Sequence, residues 1–270
     1  MRAECGALRF GGRRVGLVPT MGALHEGHLS LLRAARAQCE VVAASIFVNP
    51  TQFGPQEDLA KYPRPFARDS ELLRAEGVDL LFAPSVEEMY PAGAVTYINV
   101  EGLSERLCGR SRPGHFRGVA TVVSKLFHVV QPDVAFFGQK DAAQVAVIRA
   151  MVRDLLLPVE IVACPIVREP DGLALSSRNC YLNSEQRRQA LVLYRSLLRV
   201  RELYLGGERD AGRLIAGGTE EFVDSGVRVD FLEIVDAEDL VELTTAAAGA
   251  LVAVAGFLGT TRLIDNVLLD

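Results

Sequence analysis

The stretch from Arg14 to Leu32, R-V-G-L-V-P-T-M-G-A-L-H-E-G-H-L-S-L-L, constrains the fold most. Val15 to Val18 reads as a short apolar strand, and Pro19, which cannot donate to a sheet ladder, marks its end. A small-residue turn, Thr20-Met21-Gly22-Ala23, leads into an amphipathic helix whose apolar positions are Leu29, Leu31, Leu32 and Ala35. His25 and His28 stand three apart at the mouth of that helix, so both rings lie on one face. Free backbone N–H groups and the positive end of the helix dipole are expected beside them. Gly22 and Gly27 admit a ligand close to the backbone. The combination predicts a phosphate site with two cationisable rings. Either ring taken alone reads as a cap or a surface residue. Two histidines at this spacing also suit zinc, but the chain has four His and five scattered Cys, and no third ligand stands out.

From Val41 a second run, V-V-A-A-S-I-F-V, is continuous and β-branched, which suits a strand buried on both faces of a parallel sheet. It ends in Asn49-Pro50-Thr51-Gln52-Phe53-Gly54-Pro55, a polar loop continued by Tyr62-Pro63-Arg64. Ligands of open α/β sheets bind beyond the carboxyl ends of strands, which puts Asn49 and Gln52 where hydroxyls or a carboxylate are read. Asn-Pro and Gly-Pro are also plain turn formers. A short helix over 69–76, strands over 78–82 and 96–100, a helix over 118–130 and a strand over 134–137 follow. Between them, Arg106, Arg110, Arg112, His115 and Arg117 read as an anion-facing loop or as solvated surface.

The strand over 134–137 runs into Gly138-Gln139-Lys140-Asp141 and a helix over 142–155 that contains Gln144. This repeats the first arrangement of strand, glycine turn, polar cluster and helix. Lys140 at a helix N-terminus opposes the dipole, and a bound polyanion between them removes the conflict. After a strand over 159–167 come a turn, Arg168 to Gly172, and the loop Leu175-Ser176-Ser177-Arg178-Asn179. Two hydroxyls, their N–H groups and a guanidinium in one loop are the donors a triphosphate needs. The plainer reading is a linker before a helix capped by Asn183. Beyond it lie helices over 185–205 and 210–223 and strands over 229–235 and 250–257. The alternation predicts an α/β fold, a Rossmann-like doubly wound parallel sheet over 1–170, with a smaller α+β domain over 171–270.

Composition narrows the function classes. A chain of 270 residues, 49% hydrophobic and 23% charged, is an ordinary soluble globular protein of one large or two medium domains. A net charge of −5 argues against a nucleic-acid partner. Five cysteines without CxxC pairing fit a reduced, cytoplasmic protein. Arg2, Glu4 and Arg9 interrupt any signal-peptide core, and Leu243 to Thr261 is too broken by Thr and Gly to span a membrane.

With these residues in view, the chain resembles the pantoate–β-alanine ligases almost end to end. The matching pieces are P-T-M-G-A-L-H-E-G-H at 19–28, F-V-N-P-T-Q-F at 47–53, E-D-L-A-K-Y-P-R at 57–64 and R-P-G-H-F-R-G-V at 112–119. F-F-G-Q-K-D at 136–141, V-R-E-P-D-G-L-A-L-S-S-R-N-C-Y-L at 167–182 and L-G-T-T-R-L-I-D-N at 258–266 complete the set. HxGH alone is shared by the wider class of nucleotidyl-transferring enzymes; seven ordered motifs are far more specific. Gln139, Ala143 and Leu175 depart from the family pattern and touch details of the ATP site.

The resemblance implies that pantoate attacks the α-phosphate of ATP, and that β-alanine then attacks the resulting pantoyl adenylate and expels AMP. It implies ATP contacts from Met21, Gly22, Ala23, Leu24, His25, Glu26, Gly27 and His28. It extends them to Gly138, Gln139, Lys140, Asp141, Val167, Leu175, Ser176, Ser177 and Arg178. Pantoate falls to Gln52 and Gln144, and catalysis to His28, His25, Lys140 and Arg178, with His28 as proton donor toward the leaving pyrophosphate. Mg²⁺ is expected to travel mainly with ATP, with Asp69 as the candidate protein ligand. A homodimer is the family expectation, with the strand around Thr96 at its interface. A nucleotidylyltransferase and a non-catalytic nucleotide-binding regulator are the competing functions.

Overall fold

The buried runs of the first half become parallel strands. A computed structural model describes residues 1–55 and 57–270. In chain order the first half holds α1 (Arg2–Phe10), β1 (Val15–Thr20), α2 (Glu26–Gln38), β2 (Val41–Ile46), α3 (Phe66–Ala75), β3 (Leu80–Phe82) and α4 (Val86–Met89). It continues with α5 (Cys108–Ser111), α6 (His115–Val130), β4 (Val134–Gly138), α7 (Ala142–Asp154) and β5 (Glu160–Cys164). The second half holds α8 (Ser184–Gln189), α9 (Leu191–Leu205), α10 (Ala211–Thr219), β6 (Arg228–Val235), β7 (Leu251–Leu258) and β8 (Thr261–Leu268).

The five-stranded sheet has the order β3-β2-β1-β4-β5, all parallel. Alternate residues of each strand enter different cores, as the two-residue period demands. Val15, Leu17, Ala43, Ala135 and Phe137 face α6 and α7, while Val18, Val42, Ala44, Val134 and Phe136 face α2. The chain reverses direction across the sheet between β1 and β4. The carboxyl ends of those two strands, at Thr20 and Gly138, therefore bound the crevice where such sheets take ligands.

The second sheet, β6-β7-β8, is antiparallel. Ile234, Val252 and Val254 pack with Leu193, Leu197 and Leu214 of α9 and α10. Its other face, through Phe231, Leu251, Ala253 and Ala255, joins the core of the first half. Covering on both faces explains why β7 reads as a continuous apolar run despite being antiparallel.

Several local readings are corrected. Residues 96–100 form no strand; among the described residues that segment has no ladder partner, and Val95 and Tyr97 are exposed. α1 and β8 add to the expected elements, and the helix over 185–205 is two helices meeting at Ala190. Along most of its length the basic stretch is engaged by internal partners. Arg106 pairs with Asp239, Arg110 with Glu233 and Arg112 with Glu57, and Arg117 lies 4.0 Å over the Tyr97 ring.

Candidate active site

The turn after β1 is built from the backbone outward. Gly22 takes φ +80°, which its missing Cβ permits, and a Cβ there would stand 3.0 Å from Asp69 Oδ2. Ala23 also has positive φ, 51°. Asp69 on α3 holds the turn: Ala23 N–H donates to its Oδ2 at 2.7 Å and Leu24 N–H to its Oδ1 at 2.9 Å. The carboxylate is 1% exposed with each oxygen accepting one N–H bond, so Asp69 acts as a structural clasp of the turn. Among the described residues no group of three or more His, Cys, Asp or Glu could hold a metal.

His25 is the N-cap of α2, and its Nδ1 accepts the Gly27 N–H at 3.2 Å. The His25 N–H donates to His28 Nδ1 at 3.3 Å, and the ring centroids lie 4.1 Å apart. With Nδ1 accepting in both rings, each neutral imidazole carries its proton on Nε2. Burial, helped by the Lys140 charge, pushes His25 down to about 4. Burial, then the neighbouring His25 and Lys140, pushes His28 down to about 3. Without ligand the two rings expected to be cationisable are therefore neutral N–H donors. The helix mouth is also less open than expected, because the N–H groups of Ala23, Leu24, Gly27 and His28 all have internal partners.

β4 ends at Gly138 and a 3₁₀ turn, Gln139–Asp141, precedes α7. Lys140 on that turn and Gln144 on α7 line the same cleft as the histidines. Opposite them, β2 leads to the loop that carries Gln52. Asn49 Nδ2 donates to Gln52 Oε1 at 3.1 Å and to the Gly118 carbonyl at 3.1 Å. Gln52 Nε2 in turn approaches Met21 Sδ at 2.9 Å. α6 touches this loop at Gly118, where a Cβ would stand 2.4 Å from the Thr51 carbonyl oxygen. His115 Nδ1 donates to the Gln52 carbonyl at 2.7 Å, leaving Nε2 to accept from Arg112 at 2.9 Å. That bonding needs a neutral ring, and burial with the Arg112 charge pushes His115 down to about 4.

The loop Ser176–Arg178 crosses the cleft from the other side. Arg178 Nε and Nη2 bond the two carboxylate oxygens of Asp58 at 3.0 and 2.8 Å, and Tyr62 hydroxyl lies 3.3 Å from Ser177 Oγ. His25, His28, Gln52, Lys140, Gln144 and Arg178 surround one cleft of ≈1060 Å³. Phe47, Val122, Leu126 and Phe137 give it an apolar wall beside the polar one. A large crevice at the sheet's reversal point, with an ammonium, a guanidinium and two imidazole N–H donors around it, suits a nucleotide triphosphate and a small acid.

Known proteins resemble this chain in sequence and fold. The family model for pantoate-beta-alanine ligase matches residues 1–268. The pantothenate synthetase of Acidobacterium capsulatum is 62% identical over 261 residues, 96% of this chain and 87% of its own length. That of Koribacter versatilis is 59% identical over 271 residues, 100% of this chain and 93% of its own. The chain belongs to the pantoate–β-alanine ligase family. A pantothenate synthetase structure from Thermus thermophilus superposes with TM-score 0.93 at 51% identity, covering 98% of this chain and 97% of its own. The Francisella tularensis ligase, complexed with β-γ ATP and β-alanine, superposes with TM-score 0.80 at 34% identity, covering 98% and 95%. The chain is an ATP-dependent ligase that condenses pantoate with β-alanine by way of pantoyl adenylate, releasing AMP and pyrophosphate.

In this ligase most of the residues singled out in the sequence share the cleft: Met21, His25, Gly27, His28, Gln52, Gly138, Lys140, Asp141, Gln144, Val167 and Leu175 to Arg178. Besides Asp69, five do not line it. Gly22, Ala23 and Leu24 are buried behind the turn, Glu26 is exposed and pairs with Arg33, and the Gln139 side chain turns toward Asn266. The residues to which the sequence assigns no role are partners: Asp58, Tyr62, Glu57, Arg262 and Asn266; Arg112 and His115 of the basic stretch also line the cleft. All sit inside the matched motifs, but nothing local distinguishes a carboxylate that orients an arginine from one on the surface.

Proposed function

We propose that these residues divide the two half-reactions among them. ATP lies in the cleft with its phosphates toward His25, His28 and Lys140, under the loop from Leu175 to Arg178. Gln52 and Gln144 hold pantoate, and Gln52 also meets β-alanine. In the first step a pantoate carboxylate oxygen bonds to the α-phosphorus while the bond to the pyrophosphate oxygen breaks. Two anions converge there, so the site must supply positive charge as the transition state forms. Lys140 and Arg178 are the cationic side chains placed for this, with Arg178 oriented by Asp58. His28, neutral before ATP binds, offers its Nε2–H toward the leaving pyrophosphate. In the second step the β-alanine nitrogen bonds to the acyl carbon and AMP departs. Holding the amine beside the mixed anhydride suffices, and no Cys or Ser acts covalently.

Mg²⁺ enters on the ATP phosphates. Residues 1–170 act as the catalytic domain and 171–270 as a smaller lid domain, a division supported by the separate α9–α10 core. The molecule works as a homodimer in the cytoplasm. The exposed Val95 and Tyr97 support a subunit contact, and five free cysteines suit a reducing compartment. No helix of the described residues is long and apolar enough to cross a membrane.

One observation carries this reading: His28, Lys140 and Arg178, from three separate segments, line a single cleft. His28→Ala is expected to slow single-turnover adenylate formation by about 10²–10³-fold, the scale for losing one preorganised donor. β-Alanine attack on supplied pantoyl adenylate should suffer much less. Adenylation at the wild-type rate would remove His28 from its role. Sedimentation at micromolar concentration checks the dimer; a monomer mass rejects it.

A further inference from the structure

Lys140 stands on a turn that receives no side-chain cap from its own segment, neither at Gly138 nor at Asp141. The turn is held from the other sheet. Asn266 Nδ2, on β8, donates to the Gln139 carbonyl at 2.9 Å and to the Lys140 carbonyl at 3.0 Å. Gln139 Nε2 donates back to Asn266 Oδ1 at 3.4 Å. Asn266 is 3% exposed, so water has little access to compete for these bonds.

Asn266 is itself anchored. Its N–H donates to Asp265 Oδ1 at 2.8 Å, and Arg168 grips Asp265 with bonds of 2.6 and 2.9 Å. The Arg168 guanidinium lies 3.9 Å over the Tyr194 ring of α9. A continuous chain of directed contacts thus runs from α9 through β8 to the turn. A carboxamide that spans two consecutive carbonyls fixes the tilt of the turn as well as its position; one donor would leave it free to rotate. The lysine ammonium sits at the end of a flexible stem, so a shift of its root carries straight to its tip.

We propose that Asn266 is a positioning residue for adenylation: by holding the Gln139 and Lys140 carbonyls it sets the root from which Lys140 reaches the nucleotide phosphates. Asn266 does not itself line the cleft, so it contributes to the first half-reaction through Lys140. This rests on the phosphate role given to Lys140 above. If Asn266 only joined the two sheets, its loss would weaken both half-reactions alike.

The test is a set of single-turnover measurements of adenylate formation, and separately of β-alanine attack on supplied pantoyl adenylate. Wild type is compared with Asn266→Ala, Asn266→Asp, Asn266→Ser, Lys140→Ala and the double variant Asn266→Ala with Lys140→Ala. Asn266→Ala and Asn266→Asp should slow adenylation roughly tenfold to a hundredfold, the scale of a misplacement of about 1 Å, and leave the second step near wild type. Asn266→Asp keeps the shape but turns an acceptor toward both carbonyls, and it carries the test if the Ala variant does not fold. Asn266→Ser, with one donor, should fall between. In the Lys140→Ala background, Asn266→Ala should add little. Full additivity with Lys140→Ala, or equal losses in both steps, would overturn the inference alone. Wild-type adenylation by Lys140→Ala would instead overturn the role given to Lys140.

Discussion

The charge states of three histidines are set by where the fold puts them. His25 and His115 are pushed down to about 4 and His28 to about 3, in each case first by burial and then by neighbouring charges or a neighbouring ring. An unfolded histidine titrates near 6.5. Below that pH the unfolded chain binds protons that the folded rings refuse, so stability falls as pH drops from about 6.5 toward 4 and is fully present above it. The melting temperature is therefore expected to decline through that window. His115→Asn removes one titrating ring while keeping a donor for the Gln52 carbonyl, and should flatten the decline. An unchanged slope would mean that His115 is not held neutral. At this scale the sequence exposed the histidine pair and the misfit of Lys140 at a helix start, because both are local patterns. It could not expose protonation, because burial is not local.

At the scale of elements, the site depends on two close fits. Asp69 joins α3 to the turn after β1 by accepting two N–H bonds. Asp69→Ala strands two buried donors at about 1–3 kcal/mol each and should raise KM for ATP through the loosened turn. Urea unfolding measures the first effect and steady-state kinetics the second. A KM defect relieved by added Mg²⁺, with unchanged stability, would instead restore Asp69 as a metal ligand. Gly118 brings α6 against the Gln52 loop, and Gly118→Ala must push them apart by steric contact with Thr51. A loss of about 1–3 kcal/mol is expected, with KM for pantoate rising more than KM for ATP. Equal changes in both would argue against a specific link to Gln52.

Which elements were legible follows the same physics. β1, β2, β4 and α6 announce themselves because apolar periodicity and β-branching act within the segment. β8 does not, because its middle buries Asp265 and Asn266, which are polar in sequence and paired only in three dimensions. Residues 96–100 look like a strand but lack a partner within the described chain.

For the whole molecule, the segment that follows β5 is tied to β8 through the Arg168–Asp265 pair, whose carboxylate is 4% exposed. Burial pushes the Asp265 carboxyl above its usual range even with Arg168 pulling it down. Arg168→Met leaves that group buried without its cation and should cost about 3–5 kcal/mol in urea unfolding. A loss below about 1 kcal/mol would mean that water or another group satisfies Asp265.

The sequence by itself determined the alternation of strands and helices, the two helix starts that border the cleft, and the motifs that place the chain among the ligases. Those signals come from propensity, periodicity and short spacing, which act between neighbours in the chain. Only the tertiary structure decided that Asp69 clasps Ala23 across 46 residues, that Asp58 orients Arg178 across 120 and that Asn266 holds Lys140 across 126. It also decided that His25 and His28 are uncharged. Pairing and desolvation depend on which distant segments meet, and that is settled when the two sheets pack together.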